Sequence, residues 1–336
     1  MKNLITPQTP WLAPLAGWSD LPFRLLCREH GASVTCTEMV SAKGLVYGGK
    51  NTKNLLQTIP QDKPVVVQIF GAEADFMQKG VQVLKEHGFQ YYDVNVGCSV
   101  TKVVKTGAGS AMLRDLPNFF DVAKAVIDEV HKDSTHKIGF KIRLGYQLNE
   151  NVYEEVALRL QDLGADWITL HPRYAKQAFS GEPDYNALIR LKELVEIPII
   201  ASGDLFTARD GIRVLMKTNV DGLMYARGAM SNPRIFDEHK KLYQYVMENN
   251  CSYDTIPEYE IVYPKSPDEI KKDLYTLIMQ HLAYAKEFCP FRAVLQMRTI
   301  VPRYVRHLEN AKLVRQALIK CRSFEDLDTV IQEYFA

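Results

Sequence analysis

Short hydrophobic runs alternate with amphipathic segments along most of the chain. Eight of these runs are apolar and rich in β-branched residues, a pattern that predicts strands. They are Trp11 to Ala16, Ser33 to Met39, Val65 to Phe70, Tyr91 to Val96, Ile138 to Arg143, Trp167 to His171, Ile199 to Ser202 and Gly222 to Ala226. The stretch from Val40 to Pro64 shows the least periodicity.

Between the predicted strands, apolar residues recur at every third or fourth position and predict helices. These helices include Asp75 to His87, Asn118 to His131, Glu154 to Leu163, Tyr185 to Leu194 and Ala208 to Met216. The alternation makes the chain an α/β protein. Eight strands favour a (β/α)8 TIM barrel, because a doubly wound sheet usually has only about five or six.

The pattern changes after the eighth strand. Asn232-Pro233 predicts a capped helix running towards Glu248, and the proline-rich residues 250–267 predict a linker. Beyond the linker, two helical faces are predicted, formed by Ile270, Leu274, Leu277 and Ile278 and by Leu313, Ala317 and Leu318. We therefore expect a barrel over residues 1–249 and a smaller all-helical domain over residues 268–336.

Composition excludes several classes of protein. The 336 residues are 46% hydrophobic and 24% charged, which is ordinary for a globular chain. No apolar run reaches the roughly 20 residues of a membrane span, and the first residues do not resemble a cleavable leader, so we expect a cytoplasmic protein without a membrane partner. The six cysteines and eight histidines are dispersed, so we expect no metal site.

Charge is concentrated near the end of the chain although the net charge is only +1. Residues 286–322 contain nine Lys or Arg against two acidic residues, with Phe291, Tyr304 and His307 among them. This segment could be an ordinary solvated helix surface. It could also bind RNA, because basic side chains neutralise phosphates and aromatic rings stack on bases.

Polar residues stand at the ends of six predicted strands, where barrels carry their catalytic groups. They are Gln68, Asn95 with Cys98, Lys141 with Arg143, His171, Ser202-Gly203-Asp204 and Ala226-Arg227-Gly228. A single polar strand end is often only solvated, whereas a set from six strands favours a shared site. The groups after the last two strands, with a helix beginning at Asn232, predict a phosphorylated cofactor, although Gly203-Asp204 could equally be a plain turn.

Cys98 lies in a loop with Asn95, two lysines and three glycines, a composition that suits a ligand site, although a merely tolerated cysteine is the alternative. The run Asn95-Val96-Gly97-Cys98-Ser99-Val100-Thr101-Lys102-Val103 resembles the dihydrouridine synthase motif Asn-x-Gly-Cys-Pro-x-x-Lys-Val, with Ser99 at the proline position. A Lys-x-Gly-x-Gly run follows in both. Further similarities are Ala13-Pro14-Leu15-Ala16-Gly17, Gln68, Lys141-Ile142-Arg143, His171-Pro172-Arg173 and Ala226-Arg227-Gly228. Ser202 replaces the family's asparagine, and Ala226 replaces a glycine.

The resemblance implies a flavin enzyme that reduces uridine in RNA, with tRNA as the expected substrate. It also implies FMN as cofactor and NADPH or NADH as reductant. Cys98 would supply a proton to C5 of uracil. The residues expected to bind FMN are Pro14, Leu15, Ala16, Gln68, Lys141, His171, Ser202, Gly203, Asp204, Ala226 and Arg227. Those expected to bind substrate are Asn95, Arg143 and, in the more weakly similar tail, Arg298. We expect a monomer.

Two other functions fit parts of the sequence. An FMN barrel enzyme acting on a free pyrimidine would share the loop cysteine but would not need the basic tail. An RNA-binding protein without activity would share the tail but would not need Cys98, Lys141 and Arg143. A yellow flavin colour in the purified protein would argue against the second.

Overall fold

The computed structural model describes residues 3–252, 255–257, 261–262, 266–309 and 311–335. Within those residues, nine strands form one parallel sheet. They are β1 (Trp11–Leu12), β2 (Val34–Cys36), β3 (Val40–Ser41), β4 (Val65–Phe70), β5 (Tyr91–Asn95), β6 (Lys137–Arg143), β7 (Trp167–His171), β8 (Ile199–Ser202) and β9 (Gly222–Tyr225). Strand β1 pairs with both β2 and β9, and β2 pairs with β4, so eight strands close into a barrel. The predicted (β/α)8 barrel is confirmed.

Strands β1 and β2 are each four residues shorter than predicted, and one strand was missed. Strand β1 ends before Pro14, which has no N–H to continue the ladder. Strand β3 lies beside the carboxyl end of β4 and, with two short helices, occupies the stretch from Val40 to Pro64. A strand of two residues and helices of five and six residues are too short to show a recognisable hydrophobic period.

The lower part of the barrel interior is filled by large side chains. Trp11 and Trp167 meet edge to face with ring centroids 5.6 Å apart. Gly139 makes room for this pair, since a Cβ there would lie 2.0 Å from Cε2 of Trp167. Side chains alternate between the two faces of a strand, so Thr169 and His171 point inward above Trp167. Polar inward-facing residues are thereby placed towards the carboxyl ends of the strands.

Helices surround the barrel and bury their apolar faces against it. They are α1 (Leu21–Glu29), α2 (Ala42–Val46), α3 (Lys50–Leu55), α4 (Ala74–Glu86), α5 (Thr101–Val104), α6 (Leu116–Val130), α7 (Tyr153–Leu163), α8 (Tyr185–Leu194), α9 (Ala208–Thr218), α10 (Arg227–Ser231) and α11 (Ile235–Asn249). One predicted start is wrong: Asn232 follows α10, and α11 begins at Ile235. The Asn232 side chain accepts from the N–H of Arg234 and shapes the turn between these helices.

The rest of the described chain is helical and has its own core. Its helices are α12 (Pro267–Phe288), α13 (Pro290–Tyr304), α14 (Ala311–Lys320) and α15 (Phe324–Phe335). Leu277, Met297 and Leu318 belong to this core, which also includes Leu26 from helix α1 of the barrel. The helical region is therefore packed directly onto the barrel.

One tail prediction is wrong, and the predicted linker is only partly described. Leu313 is 61% exposed, and Val314 takes its place beside Leu318 on the buried face of α14. Ile256 and Val262, within the predicted linker, are buried against the barrel core, while residues 253–254, 258–260 and 263–265 of that linker lie outside the described residues. No helix in the described ranges is both long and apolar enough to cross a membrane.

Candidate active site

A cavity opens at the carboxyl ends of the barrel strands, and every predicted site residue except Arg298 lines it. These lining residues are Pro14, Leu15, Ala16, Gln68, Asn95, Cys98, Lys141, Arg143, His171, Ser202, Gly203, Asp204, Ala226 and Arg227. They come from seven strands or the loops after them, so closure of the barrel is what brings them together. In the described part of the chain, no group of His, Cys, Asp or Glu side chains is arranged to hold a metal ion.

The Cys98 loop, residues 96–110, is held from both sides. Asn95, at the end of β5, accepts through Oδ1 from the backbone N–H groups of Gly97 at 3.2 Å and Cys98 at 2.9 Å. The carbonyl of Cys98 accepts from the N–H of Ser110 at 3.0 Å. Gly109 has a φ of +63°, and a Cβ there would lie 2.7 Å from that carbonyl oxygen. The half-exposed thiol thus stands on an anchored backbone at the cavity wall.

A chain of side-chain hydrogen bonds runs beneath this loop. Gln68 donates through Nε2 to Oδ2 of Asp93 at 2.7 Å, and Asn95 donates through Nδ2 to Oε1 of Gln68 at 2.8 Å. Burial raises the pKa of Asp93, against the opposing effects of Gln68 and the nearby Lys141. Both ends of the Asn95 amide are therefore engaged by the protein, while its contact with a substrate stays a prediction.

Lys141 supplies positive charge to the floor of the cavity. It stands on β6 directly beside Asn95 of β5 in the strand register. Burial and the neighbouring Arg143 lower the pKa of Lys141, whereas Asp93 raises it. No hydrogen bond or ion pair joins the Lys141 ammonium to another residue of the described ranges. Because Lys141 lines the cavity, this group is available to a ligand bound there.

Arg143 ties two loops together. Its Nε donates to the carbonyl of Gly97 at 2.9 Å, and its Nη1 donates to the carbonyls of Tyr174 and Ala178, both at 3.1 Å. Burial lowers the pKa of Arg143 to about 10, which leaves the guanidinium charged at neutral pH. The Cys98 loop and the loop after β7 therefore share one charged anchor.

His171 offers an unpartnered nitrogen. Its Nε2 is buried and has no hydrogen-bond partner among the described residues. Burial holds the pKa of His171 well below its usual value, so the imidazole is neutral. Gly203 lies against it with a φ of +114°, and a Cβ there would come within 2.6 Å of His171 Cδ2. The missing side chain keeps this part of the cavity open.

Asp204 orients two arginines. Its carboxylate accepts from Arg173 at 2.8 and 2.6 Å and from Arg227 at 2.6 Å. The hydrogen bonds from Arg173 are the main reason that the pKa of Asp204 is lowered. Asp204 was predicted as a cofactor contact, and the structure shows that it also fixes Arg227, the predicted phosphate-binding cation.

Two aromatic rings that the sequence did not predict for this site enclose the Arg227 guanidinium. Its Cζ lies 4.3 Å from the ring centroid of Phe179 and 4.8 Å from that of Phe206. Both rings line the cavity and are exposed. They stand in loops without periodicity, so no local pattern could identify them. Arg173 did carry a signal, because it belongs to the His171-Pro172-Arg173 match. Other missed lining residues are Ala13, Met39, Gly97, Val100 and Leu205.

Arg298 is not brought to the cavity. It lies half-buried on α13, near Cys321 of the helical region. Helix α13 meets the barrel through other side chains: Gln296 donates to Asp20 at 2.9 Å, and the Arg303 guanidinium lies 5.0 Å from the Trp18 ring. The helical face that carries Arg298 points elsewhere, so its contact with a substrate stays a prediction.

Comparisons with known proteins agree with this geometry. The family model described as dihydrouridine synthase matches residues 11–335. A probable tRNA-dihydrouridine synthase of Aquifex aeolicus is 37% identical over 231 residues, which cover 68% of this chain and 72% of that protein. One from Helicobacter pylori strain J99 is 28% identical over 328 residues, covering 97% and 91%. The tRNA-dihydrouridine synthase B of Escherichia coli K12 is 36% identical over 228 residues, covering 67% and 69%.

Among solved structures, the 6-hydroxypseudooxynicotine amine oxidase of Pseudomonas geniculata N1 superposes with a TM-score of 0.52 at 12% identity. The match covers 83% of this chain and 52% of that one, and it reflects the fold alone. The family assignment rests instead on the model match along nearly the whole chain and on relatives above 30% identity. By these criteria, the chain belongs to the dihydrouridine synthase family.

Proposed function

We propose that this protein reduces uridine to 5,6-dihydrouridine in RNA, with tRNA as its substrate. The observation that carries the proposal is the half-exposed Cys98 thiol, held at the wall of a cavity that Lys141, His171 and Arg227 also line. The similar proteins of Aquifex aeolicus and Escherichia coli bear the name tRNA-dihydrouridine synthase. The cavity therefore combines a proton source with cations suited to an anionic cofactor.

The proposed cofactor is FMN, reduced by NADPH or NADH. Three features of the cavity suit it: the unpartnered His171 Nε2, the space beside Gly203 that any Cβ would fill, and the fixed cation of Arg227. A charge-assisted contact from an arginine to phosphate is strong and directional. The residues proposed to hold FMN are those predicted from the sequence, all of which line this cavity. When bound, FMN would supply the hydride that goes to C6 of uracil.

Cys98 is the proposed proton donor. Saturation of the 5,6 double bond needs a proton at C5 as well as a hydride at C6, and the thiol S–H would supply it, to be replaced from solvent afterwards. Anchoring of the Cys98 backbone by Asn95 holds the sulfur in place for that transfer. The positive charge of Lys141 favours the negative charge that a reduced flavin carries. Asn95 and Arg143 are proposed to hold the uracil edge.

The helical region, residues 268–336, is proposed to bind the RNA. Its arginines at positions 292, 303, 306 and 315 are exposed, and Phe291, which precedes Arg292 in the sequence, is 98% exposed. Basic side chains release counterions when they neutralise phosphates. A uridine in folded RNA must leave its stack to enter the cavity, at a cost of a few kcal/mol, which these contacts would offset.

The test uses purified protein with FMN, NADPH and an unmodified tRNA transcript, and it measures dihydrouridine by mass spectrometry of the nucleosides. Cys98→Ala should lower product formation at least about 100-fold, as expected for loss of a general acid. It should keep its flavin content and its NADPH-driven flavin reduction. Cys251→Ala, which removes another half-exposed cysteine, is the matched control and should match the parent.

Each alternative has its own outcome. Reduction of a free pyrimidine without reduction of RNA would identify an enzyme of small-molecule metabolism. RNA binding by a colourless protein that forms no product would identify a binding protein. Product formation by Cys98→Ala at the parental rate would show that another group is the acid.

A further inference from the structure

Asp93 is a buried acid that does not line the cavity. It lies on β5, two residues before Asn95, and is 1% exposed. Its Oδ2 accepts from Gln68, while its Oδ1 has no hydrogen-bond partner among the described residues. Burial of this carboxyl group is unfavourable, and the hydrogen bond from Gln68 and the charge of Lys141 offset only part of the penalty. A role other than stability would explain its presence.

The hydrogen bonds around Asp93 have a fixed direction. Oδ2 of Asp93 accepts from the NH2 group of Gln68, which leaves Oε1 of Gln68 facing Asn95. Oε1 is also an acceptor, so it requires the NH2 group of Asn95. Oδ1 of Asn95 then faces the N–H groups of Gly97 and Cys98.

A reversed amide would break this arrangement. If Asn95 turned over, its NH2 group would meet the backbone N–H of Cys98, and two donors would face each other. If Gln68 turned over, the same conflict would arise with the NH2 group of Asn95. The Asp93 carboxyl group therefore orients Gln68, and Gln68 supports the orientation of Asn95 that the N–H groups of Gly97 and Cys98 require. Through these two amides it supports the backbone that carries the Cys98 sulfur.

We propose that Asp93 is a positioning residue for Cys98, acting through Gln68 and Asn95. The catalytic part of this proposal rests on the proposed function. The hydrogen-bonded link from Asp93 to the Cys98 backbone can be measured without turnover. The backbone N–H of Cys98 reports on it directly, because its exchange with solvent deuterium requires the hydrogen bond to Asn95 to open.

The experiment compares amide hydrogen exchange of residues 96–100 by mass spectrometry in full-length variants. Asp93→Leu removes the acceptor and should speed exchange in this segment about tenfold, the effect of losing one hydrogen bond of ordinary strength. Asp93→Asn can still present an oxygen to Gln68 and should keep the parental protection. Thr169→Val is the matched control, since Thr169 is also a fully buried inward-facing polar residue, on β7, and its Oγ1 has no partner among the described residues.

A second variant guards against misfolding of Asp93→Leu. Gln68→Met interrupts the same chain with a side chain of similar length and should give the same faster exchange. Parental protection in Gln68→Met, or in a folded Asp93→Leu, would overturn the proposal, as would equally faster exchange in Thr169→Val.

Kinetics separate positioning from a merely structural role. Asp93→Leu should lower dihydrouridine formation at least about tenfold more than it lowers flavin reduction by NADPH, because uracil reduction needs the Cys98 thiol and flavin reduction does not, whereas the charge lost beside Lys141 acts on both steps. Equal loss in both steps would overturn the proposal. If the parent protein forms no dihydrouridine, the proposed function fails, and the exchange measurement still decides whether Asp93 holds the Cys98 loop.

Discussion

At the scale of single residues, the absence of a side chain at position 203 shapes the cavity. Gly203 adopts a φ of +114°, a region that residues with a Cβ rarely enter. A Cβ there would also press on the His171 ring at 2.6 Å. The glycine therefore serves both the turn after β8 and the position of an imidazole whose Nε2 has no hydrogen-bond partner in the part of the chain that the structure describes.

Gly203→Ala should weaken FMN binding at least about tenfold, since the added methyl displaces His171, and should destabilise the protein by about 1–3 kcal/mol through backbone strain. Flavin fluorescence titration measures the first effect and thermal unfolding the second. Gly88→Ala is the control: Gly88 has a φ of +79°, and a Cβ there would have no other atom within 4 Å, so only stability should fall. Equal FMN affinity in both variants would contradict the proposed cavity.

At the scale of elements, helix α13 joins the helical region to the barrel. One of its faces touches the barrel near the cavity through Gln296 and Arg303, and another is buried in the core of the helical region through Met297 and Val301. The remaining face is open and carries Phe291. The exposed side chains of Phe291 and Arg292 therefore lie on the helix that contacts the barrel through Asp20 and Trp18.

Neutralising two exposed cations of the tail, with Arg306→Gln and Arg315→Gln together, should make the slope of log affinity for tRNA against log salt shallower by about 2, because each arginine would neutralise one phosphate. Binding titrations across a salt series measure this slope. Lys132→Gln with Lys217→Gln is the control, because these lysines lie at the opposite end of the barrel, near the ends of α6 and α9. A slope equal to that of the parent would remove the tail from the RNA surface.

At the scale of the whole molecule, the barrel and the helical region are joined through a shared apolar core. Leu26 and Trp18 of the barrel pack within the helical region, and Phe23 lies 5.8 Å from the His281 ring. Deleting residues 268–336 would expose this surface. Tests of RNA binding therefore belong in the full chain.

Each core contains a buried histidine, which makes stability depend on pH. Burial lowers the pKa of His239 to about 4 and that of His281 to about 3. An unfolded histidine takes up its proton near pH 6.5, so the unfolded chain binds more protons below that pH. The stability that the two neutral histidines contribute is therefore complete above about pH 6.5. It is lost as the pH falls towards 4 for His239 and towards 3 for His281.

His281→Phe should therefore flatten the acid side of the stability curve. The free energy of unfolding should fall below pH 6.5 by up to about 1.4 kcal/mol per pH unit for each histidine, and the variant should lose one such contribution. It should also be less stable at pH 7.5, because Tyr304 loses its hydrogen bond to His281. Urea titrations between pH 7.5 and 5 measure both effects, with the exposed His87→Gln as control. Identical slopes in parent and variant would exclude His281 as a source.

The sequence by itself determined the eight strands that close the barrel, most of the helices between them and the cysteine motif. Strand and helix periods are local, so inward-facing positions such as Gln68 and Lys141 could be placed at strand ends, and their meeting followed from barrel geometry alone. The resemblance around Cys98 added the chemistry. Local patterns were weakest where elements are very short, as in β3, or where two helices share a turn, as at Asn232.

Only the tertiary structure decided which side chains touch. Hydrogen bonds link Asp93 to Asn95 through Gln68, across strands β4 and β5. Asp204 binds Arg173 and Arg227, which follow two other strands. Arg298, on a helix of the tail, does not reach the cavity. Phe179 lies in a loop without hydrophobic periodicity, and it packs against the side chain of Arg227, which is distant in the sequence. Such contacts depend on how strands and loops that are far apart in the sequence meet in space. A local pattern of polar and apolar residues carries no information about that meeting.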